Sequence, residues 1–158
     1  MNALPARPVM ASGSRPVPDA RLRRVAAAYA PVLGVGVVLS LRNGVGAHPG
    51  GDPARDLAFR GTGLAPPLFL PAALLGAAVL SGRRDAVGIA ATVVAGLVGL
   101  AFTAGTTFNL ANDVTATRAA GSPVGQTVGI AALHWVFGPA LAITSVLGLR
   151  GRLRAHRR

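Results

Sequence analysis

Four long apolar runs, at residues 25–41, 64–80, 86–110 and 128–149, constrain this chain more than any motif in it. None of them contains an Asp, Glu, Lys or Arg. A helix needs about 20 mostly apolar residues, with a working range of roughly 17–25, to cross the hydrocarbon core of a bilayer. All four runs meet that length. The expected fold is therefore an all-α membrane protein, a bundle of four antiparallel transmembrane helices.

Composition argues the same way. A soluble protein carries about 25% charged residues, whereas this chain of 158 residues has 13%, with 51% hydrophobic and a mean hydropathy of +0.51. A net charge of +11 would suggest nucleic acid in a soluble protein. No segment between the runs is long enough to form a nucleic-acid-binding module, so the natural anionic partner is the phospholipid headgroup. Cysteine is absent, which removes disulfides, thiol nucleophiles and lipidated cysteine. Lysine is absent too, so no Schiff-base chemistry is available. With no glutamate, any carboxylate chemistry falls to Asp19, Asp52, Asp56, Asp85 and Asp113. Richness in Ala, Gly, Arg and Pro points to a high-GC bacterial genome.

Residues 1–21 hold prolines at 5, 8, 16 and 18 between Ser, Gly and Arg. Such a segment has no apolar face to bury and reads as a disordered basic arm. Together with the first run it could form a signal peptide, with 45–47 (Val-Gly-Ala) as a cleavage site. The run is longer than a usual h-region of about 7–15 residues, which favours an uncleaved first helix. The second run should start after Gly61, Thr62 and Gly63, with Pro66 and Pro67 at a helix N-terminus, where a missing N–H is tolerated. Residues 81–85 make a hairpin-sized connection, 111–127 a longer link, and 151–158 a basic tail. The transmembrane domain thus spans residues 22–150.

All sixteen basic residues are arginine, and their distribution sets the orientation. Twelve lie in the N-terminal arm, the 81–85 connection and the C-terminal end; only Arg42, Arg55, Arg60 and Arg118 lie on the opposite side. Cytoplasmic segments carry the Lys/Arg excess. Both termini are therefore expected in the cytoplasm of a bacterial cell, the chain crossing the inner membrane several times.

Within lipid, helices associate through close contact at small residues. Ala91, Ala95, Gly99 and Thr103 on the third run and Ala26, Ala30 and Gly34 on the first offer such seams. Gly125 and Gly129 form a GxxxG pair on the fourth, read as part of the same interior packing.

One constellation carries possible chemistry. His134 lies about 10 Å inside the fourth run, and an intramembrane histidine usually faces the protein interior or a wet cavity. Gly138 follows one turn later and would leave room beside the imidazole. Pro139 would free a carbonyl and bend the helix, and Trp135 would pack between helices. The third run is polar at matching depth, where Thr106, Asn109 and Asp113 share one helical face. An outward-facing pocket of Thr103, Thr106, Asn109 and His134, rimmed by Asp113 and Arg118, is the candidate ligand site.

The plainer alternative is structural: threonines bonding back to their own helix and a histidine bonding a facing threonine. Haem ligation between helices would need a second intramembrane histidine, but His48 and His156 lie outside the runs. No metal or cofactor is expected. Asp52, Arg55 and Asp56 read as a charge pair on a short loop helix, and no phosphate-binding, nucleophile-elbow or zinc-protease motif occurs. The leading expectation is a non-enzymatic scaffold or accessory subunit that packs against a membrane partner or its own copy. The alternative is a protein that binds or transports a small molecule or ion in the pocket around His134.

Overall fold

The structure, a computed structural model, describes residues 20–156. The proline-rich arm before Ala20 and the last two arginines lie outside the described residues. Five α-helices follow in order: α1 (Ala20–Asn43), α2 (Pro53–Phe59), α3 (Phe69–Leu80), α4 (Ala86–Ala119) and α5 (Val124–His156). No strand occurs among the described residues.

Three of these helices, α1, α4 and α5, are long and apolar enough to cross a membrane. The expected count of four spanning helices is corrected here. The run 64–80 is helical only from Phe69, and its 12 residues rise about 18 Å, short of a core about 30 Å thick. The cause is local. Pro66 and Pro67 lack N–H groups, and proline steers the residue before it away from α geometry. Gly61 has φ +84°, and Thr62 closes a tight turn instead of starting a helix. Its amide donates to the Ala65 carbonyl at 2.7 Å, while its hydroxyl oxygen accepts from the amides of Leu64 and Ala65 at 3.2 and 3.0 Å. Pro71 then sits in the first turn of α3, where it disrupts little.

Two helices are longer than their apolar runs. Residues 111–119, expected in a linker, continue α4, because Thr115 and Thr117 bond back to the carbonyls of Ala111 and Asp113 and no glycine or proline intervenes before Gly121. Residues 151–156, expected as a tail, continue α5. The loop helix α2 is capped by Asp52, whose carboxylate accepts from the amides of Ala54 and Arg55 at 2.9 and 3.3 Å.

The four longer helices form a ring: α4 packs most extensively on α5, α3 on α4 and α1, and α1 back on α5. The arginine-rich ends coincide. Arg152 near the end of α5 donates to the carbonyls of Ser81 and Arg83 in the α3–α4 connection. A Cβ at Gly82 would lie 3.5 Å from the Arg23 guanidinium at the start of α1. In that connection Asp85 caps α4 through the Gly88 amide. The Arg83 guanidinium bonded to it holds its carboxyl below the usual range. At the opposite end, Asn43 donates to Gln126 at 2.9 Å and Thr117 meets Thr127 at 2.7 Å.

Packing differs between the two ends. Towards the arginine-rich side the core is continuous, built from Leu22, Ala26, Tyr29, Leu33, Leu74, Ala95, Val98, Phe102 and Leu141. Towards the other end it thins to a small cluster of Val45, Leu64 and Ile130. Outward faces are strongly apolar. Val38, Val79, Phe108 and Val136 are 61–82% exposed, the pattern of a surface solvated by lipid rather than water. These features are compatible with a multi-pass membrane protein.

Small residues account for the closest helix contacts. A Cβ on Gly99 would lie 2.6 Å from the Gly138 carbonyl oxygen, and one on Gly138 would lie 2.7 Å from that of Gly99 and collide with the Thr103 hydroxyl. Gly138 therefore admits α4 and does not open space beside the imidazole. On α1 it is Gly36, not Gly34, that takes a neighbour, the Leu64 carbonyl. Gly125 and Gly129 have nothing within 4 Å of a built Cβ. The GxxxG pair thus faces outward, contrary to the interior seam expected of it.

Candidate functional site

Where the core thins, the helices enclose a cleft of about 300 Å³. Its first wall is α4, contributing Phe102, Gly105, Thr106, Asn109, Asn112 and Asp113. The second is α5, with Thr127, Ile130, Ala131 and His134. The third is the non-helical stretch from Arg60 to Pro67. The cleft reaches inward to His134, about 15 Å along α5 from Val124.

The third wall is unusual at such depth. Non-helical backbone in a membrane protein is tolerated where it is buried in protein or lines a cavity. Thr62, Leu64 and Ala65 are all buried, and their amides are satisfied within the turn. Two anchors hold the stretch: Ser40 and Thr62 hydroxyls 2.6 Å apart, and the Gly63 amide donating to the Gly46 carbonyl at 3.2 Å. Gly63 also abuts α4, since a Cβ there would lie 3.0 Å from the Asp113 carbonyl oxygen.

His134 is 7% exposed and closes the inner end. Its Nδ1 lies 3.0 Å from the Thr106 hydroxyl, while its Nε2 is buried without a partner. Two aromatic rings flank it, Tyr29 edge-on at 5.7 Å between centroids and Phe102 stacked at 5.9 Å, and Phe137 in turn stacks on Tyr29 at 4.9 Å. The Tyr29 hydroxyl is a second buried group without a partner. Each unpaired buried polar atom costs on the order of 1–3 kcal/mol.

Of the residues singled out from the sequence, Thr106, Asn109, Asp113 and His134 line this cleft. Thr103 does not. Its hydroxyl donates to the Gly99 carbonyl at 3.0 Å and sits at the α4–α5 crossing beside Gly138. The rim arginine is Arg60 rather than Arg118, and Trp135 is 40% exposed, its indole donating to the Thr107 hydroxyl at 3.0 Å. Arg60, Asn112, Thr127 and Tyr29 were not anticipated as site or near-site residues. Tyr29 had a visible signal, as the chain's one tyrosine in the middle of an apolar run; Arg60 had none.

Comparison with protein-family models, with curated proteins and with solved structures finds no match. The site must be judged on its own chemistry.

Among the described residues no group of three His, Asp or Glu side chains converges as a metal site. Asp56 was read as half of a loop ion pair, but it is 5% exposed and accepts the Ala47 amide at 2.7 Å. It shapes the 46–56 loop and does not line the cleft. The chemistry the cleft presents is one carboxylate, one imidazole, two carboxamides and three threonine hydroxyls over an apolar floor, with a guanidinium at the mouth.

Proposed function

We propose that this chain is a multi-pass protein of the bacterial cell membrane, with both termini cytoplasmic, that binds a small molecule in the cleft at its outward end. The observation that carries the proposal is the third wall. A buried non-helical segment interrupts what would otherwise be a fourth span, and it does so where polar side chains of α4 and α5 converge. In membrane proteins broken helices at depth recur where substrates and ions are bound. A volume of about 300 Å³ is at the small end for a ligand pocket. Binding or passage, not catalysis, is the role proposed. The one hydroxyl–imidazole contact, Thr106 with His134, is buried and has no third group on Nε2 to orient the imidazole as a base. At the other end, the clustered arginines would meet anionic phospholipid headgroups.

Accessibility provides the test. The chain has no cysteine, so single cysteines report cleanly. Ala131→Cys, on the cleft wall, should react with a small water-soluble methanethiosulfonate when the protein is held in lipid nanodiscs. Ala95→Cys, in the continuous core at 0% exposure, should not. Equal inertness of the two positions would mean a closed cleft and end the binding proposal.

A second reading, a scaffold or accessory subunit, draws on the outward GxxxG pair. Gly125 and Gly129 leave a groove on α5 that a partner helix or a second copy would fill. It predicts oxidative cross-linking of Gly129→Cys in membranes, either to itself or to a distinct protein. Monomer alone under those conditions counts against it.

A further inference from the structure

We infer that the cleft selects a small organic ammonium ion, with Asp113 as the counter-charge, an assignment that rests on the cleft being a binding site. Three observations converge on it.

The first is the state of Asp113. Its carboxylate lines the cleft, half-buried, and takes part in none of the hydrogen bonds among the described residues. The one ion pair found among them, Arg83 with Asp85, lies at the opposite end. A carboxylate withdrawn from water is expensive to keep ionised unless something compensates it. Inside this wall nothing does. Arg60, the one cation lining the cleft, is exposed at its mouth, where water can hydrate it.

The second is the balance of donors and acceptors. In the third wall the amides of Gly61, Thr62, Gly63, Leu64 and Ala65 are all spent inside the protein, and Pro66 and Pro67 have none to give. The carbonyls of Gly61, Thr62 and Gly63 accept no bond among the described residues. On α4 the Asn109 carboxamide donates to the Gly105 carbonyl at 2.9 Å, leaving its oxygen free. Free donors on the lining belong to Asn112 and Arg60, both exposed; the other uncommitted groups are acceptors, and they call for a ligand that brings N–H donors.

The third is size and depth. A bare ion would leave most of about 300 Å³ to solvent, since a water molecule takes up about 30 Å³. Leu70, Phe102 and Ile130 provide an apolar floor for a hydrocarbon body. At the inner end His134 closes the cleft, its Nδ1 bonded to Thr106 and its Nε2 sealed from solvent.

The test uses the full chain in nanodiscs and four probes of similar shape at neutral pH. These are phenethylammonium, its N-trimethyl analogue, 3-phenylpropionate and the neutral 3-phenylpropanol. Titration calorimetry should show saturable binding of phenethylammonium on the order of tenfold or more tighter than the neutral or anionic probe, with the N-trimethyl analogue weaker for want of N–H donors. Asp113→Asn should remove that preference while eluting from a sizing column as the unaltered chain does. Should that variant fail to fold, the charge series on the unaltered chain decides. Tighter binding of phenylpropionate or phenylpropanol overturns the ammonium assignment and leaves the cleft as a binding site. So does an unchanged ammonium affinity in a folded Asp113→Asn. No saturable binding of any probe overturns the assignment, and with an inert Ala131→Cys it removes the cleft reading as well.

Discussion

His134 and Gly138 lie one helical turn apart on α5, yet their environments are opposites. The imidazole is flanked by two rings and bonded on one side only, whereas the glycine is pressed against the α4 backbone. Their substitution effects should differ accordingly. Gly138→Ala and Gly99→Ala must push two backbones apart, an overpacking penalty of about 1–3 kcal/mol. Gly125→Ala and Gly129→Ala, with open space at each Cβ, should change stability by no more than about 0.5 kcal/mol. Thermal unfolding of the four variants in one detergent separates these sets, and similar losses in both would contradict the packing described. Thr106→Val should be destabilising by about 1–3 kcal/mol, because it strands the His134 Nδ1 in a buried place. The double change Thr106→Val with His134→Leu should recover much of that loss, since both partners of the bond are then gone. A double variant as unstable as the sum of its parts would show that the pair is held by something other than this bond.

Among the elements, the shortness of α3 has the largest consequence. Had residues 64–80 been helical throughout, their side chains would have filled the outer end of the bundle as they do the inner one. Instead the Thr62 turn and the two prolines carry extended chain into the interior, and a cleft remains beside it. Thr62 holds that arrangement by accepting two amides and meeting Ser40. Thr62→Val removes all three interactions and leaves buried amides unpaired, so a loss of about 2–4 kcal/mol is expected. Thr62→Ser keeps the hydroxyl and should be close to neutral. Guanidinium or heat titrations of the pair provide the check, and equal stability of the two would mean that the turn is held by its prolines alone. Hydrogen exchange at Leu64 and Ala65 should also be faster in the valine variant.

For the whole molecule, the arginine asymmetry and the ring of helices make one joint statement. Arg23, Arg83, Arg84 and Arg152 gather at one end because α1, α3, α4 and α5 alternate in direction, not because their sequences are near one another. If that end is cytoplasmic, Pro49→Cys and Ala119→Cys should label with a membrane-impermeant maleimide in intact cells. Arg84→Cys should label only after permeabilisation. The reverse pattern would invert the protein in the membrane and place the cleft inside the cell. Labelling of all three in intact cells would argue against a multi-pass arrangement altogether.

The apolar runs and the arginine counts were legible in the sequence because they depend on composition over long windows, and the solvent that a helix face meets is set by such averages. The same holds for the polar stripe of Thr106, Asn109 and Asp113, which follows from helical period alone. Three long helices and one arginine-rich end came from that information. Which residues faced one another did not. Thr103 looked like a pocket residue by spacing and is instead locked at a helix crossing. Arg60, in a distant loop by sequence, reaches the mouth of the cleft because a buried turn carries it there. The truncation of the second run had its signal in Pro66 and Pro67, but proline at a helix start and proline in place of a helix read alike until Thr62 is seen bonding Ser40. That contact joins residues 22 apart. Long-range hydrogen bonds of this kind, made only when the helices have packed, are what decided the site.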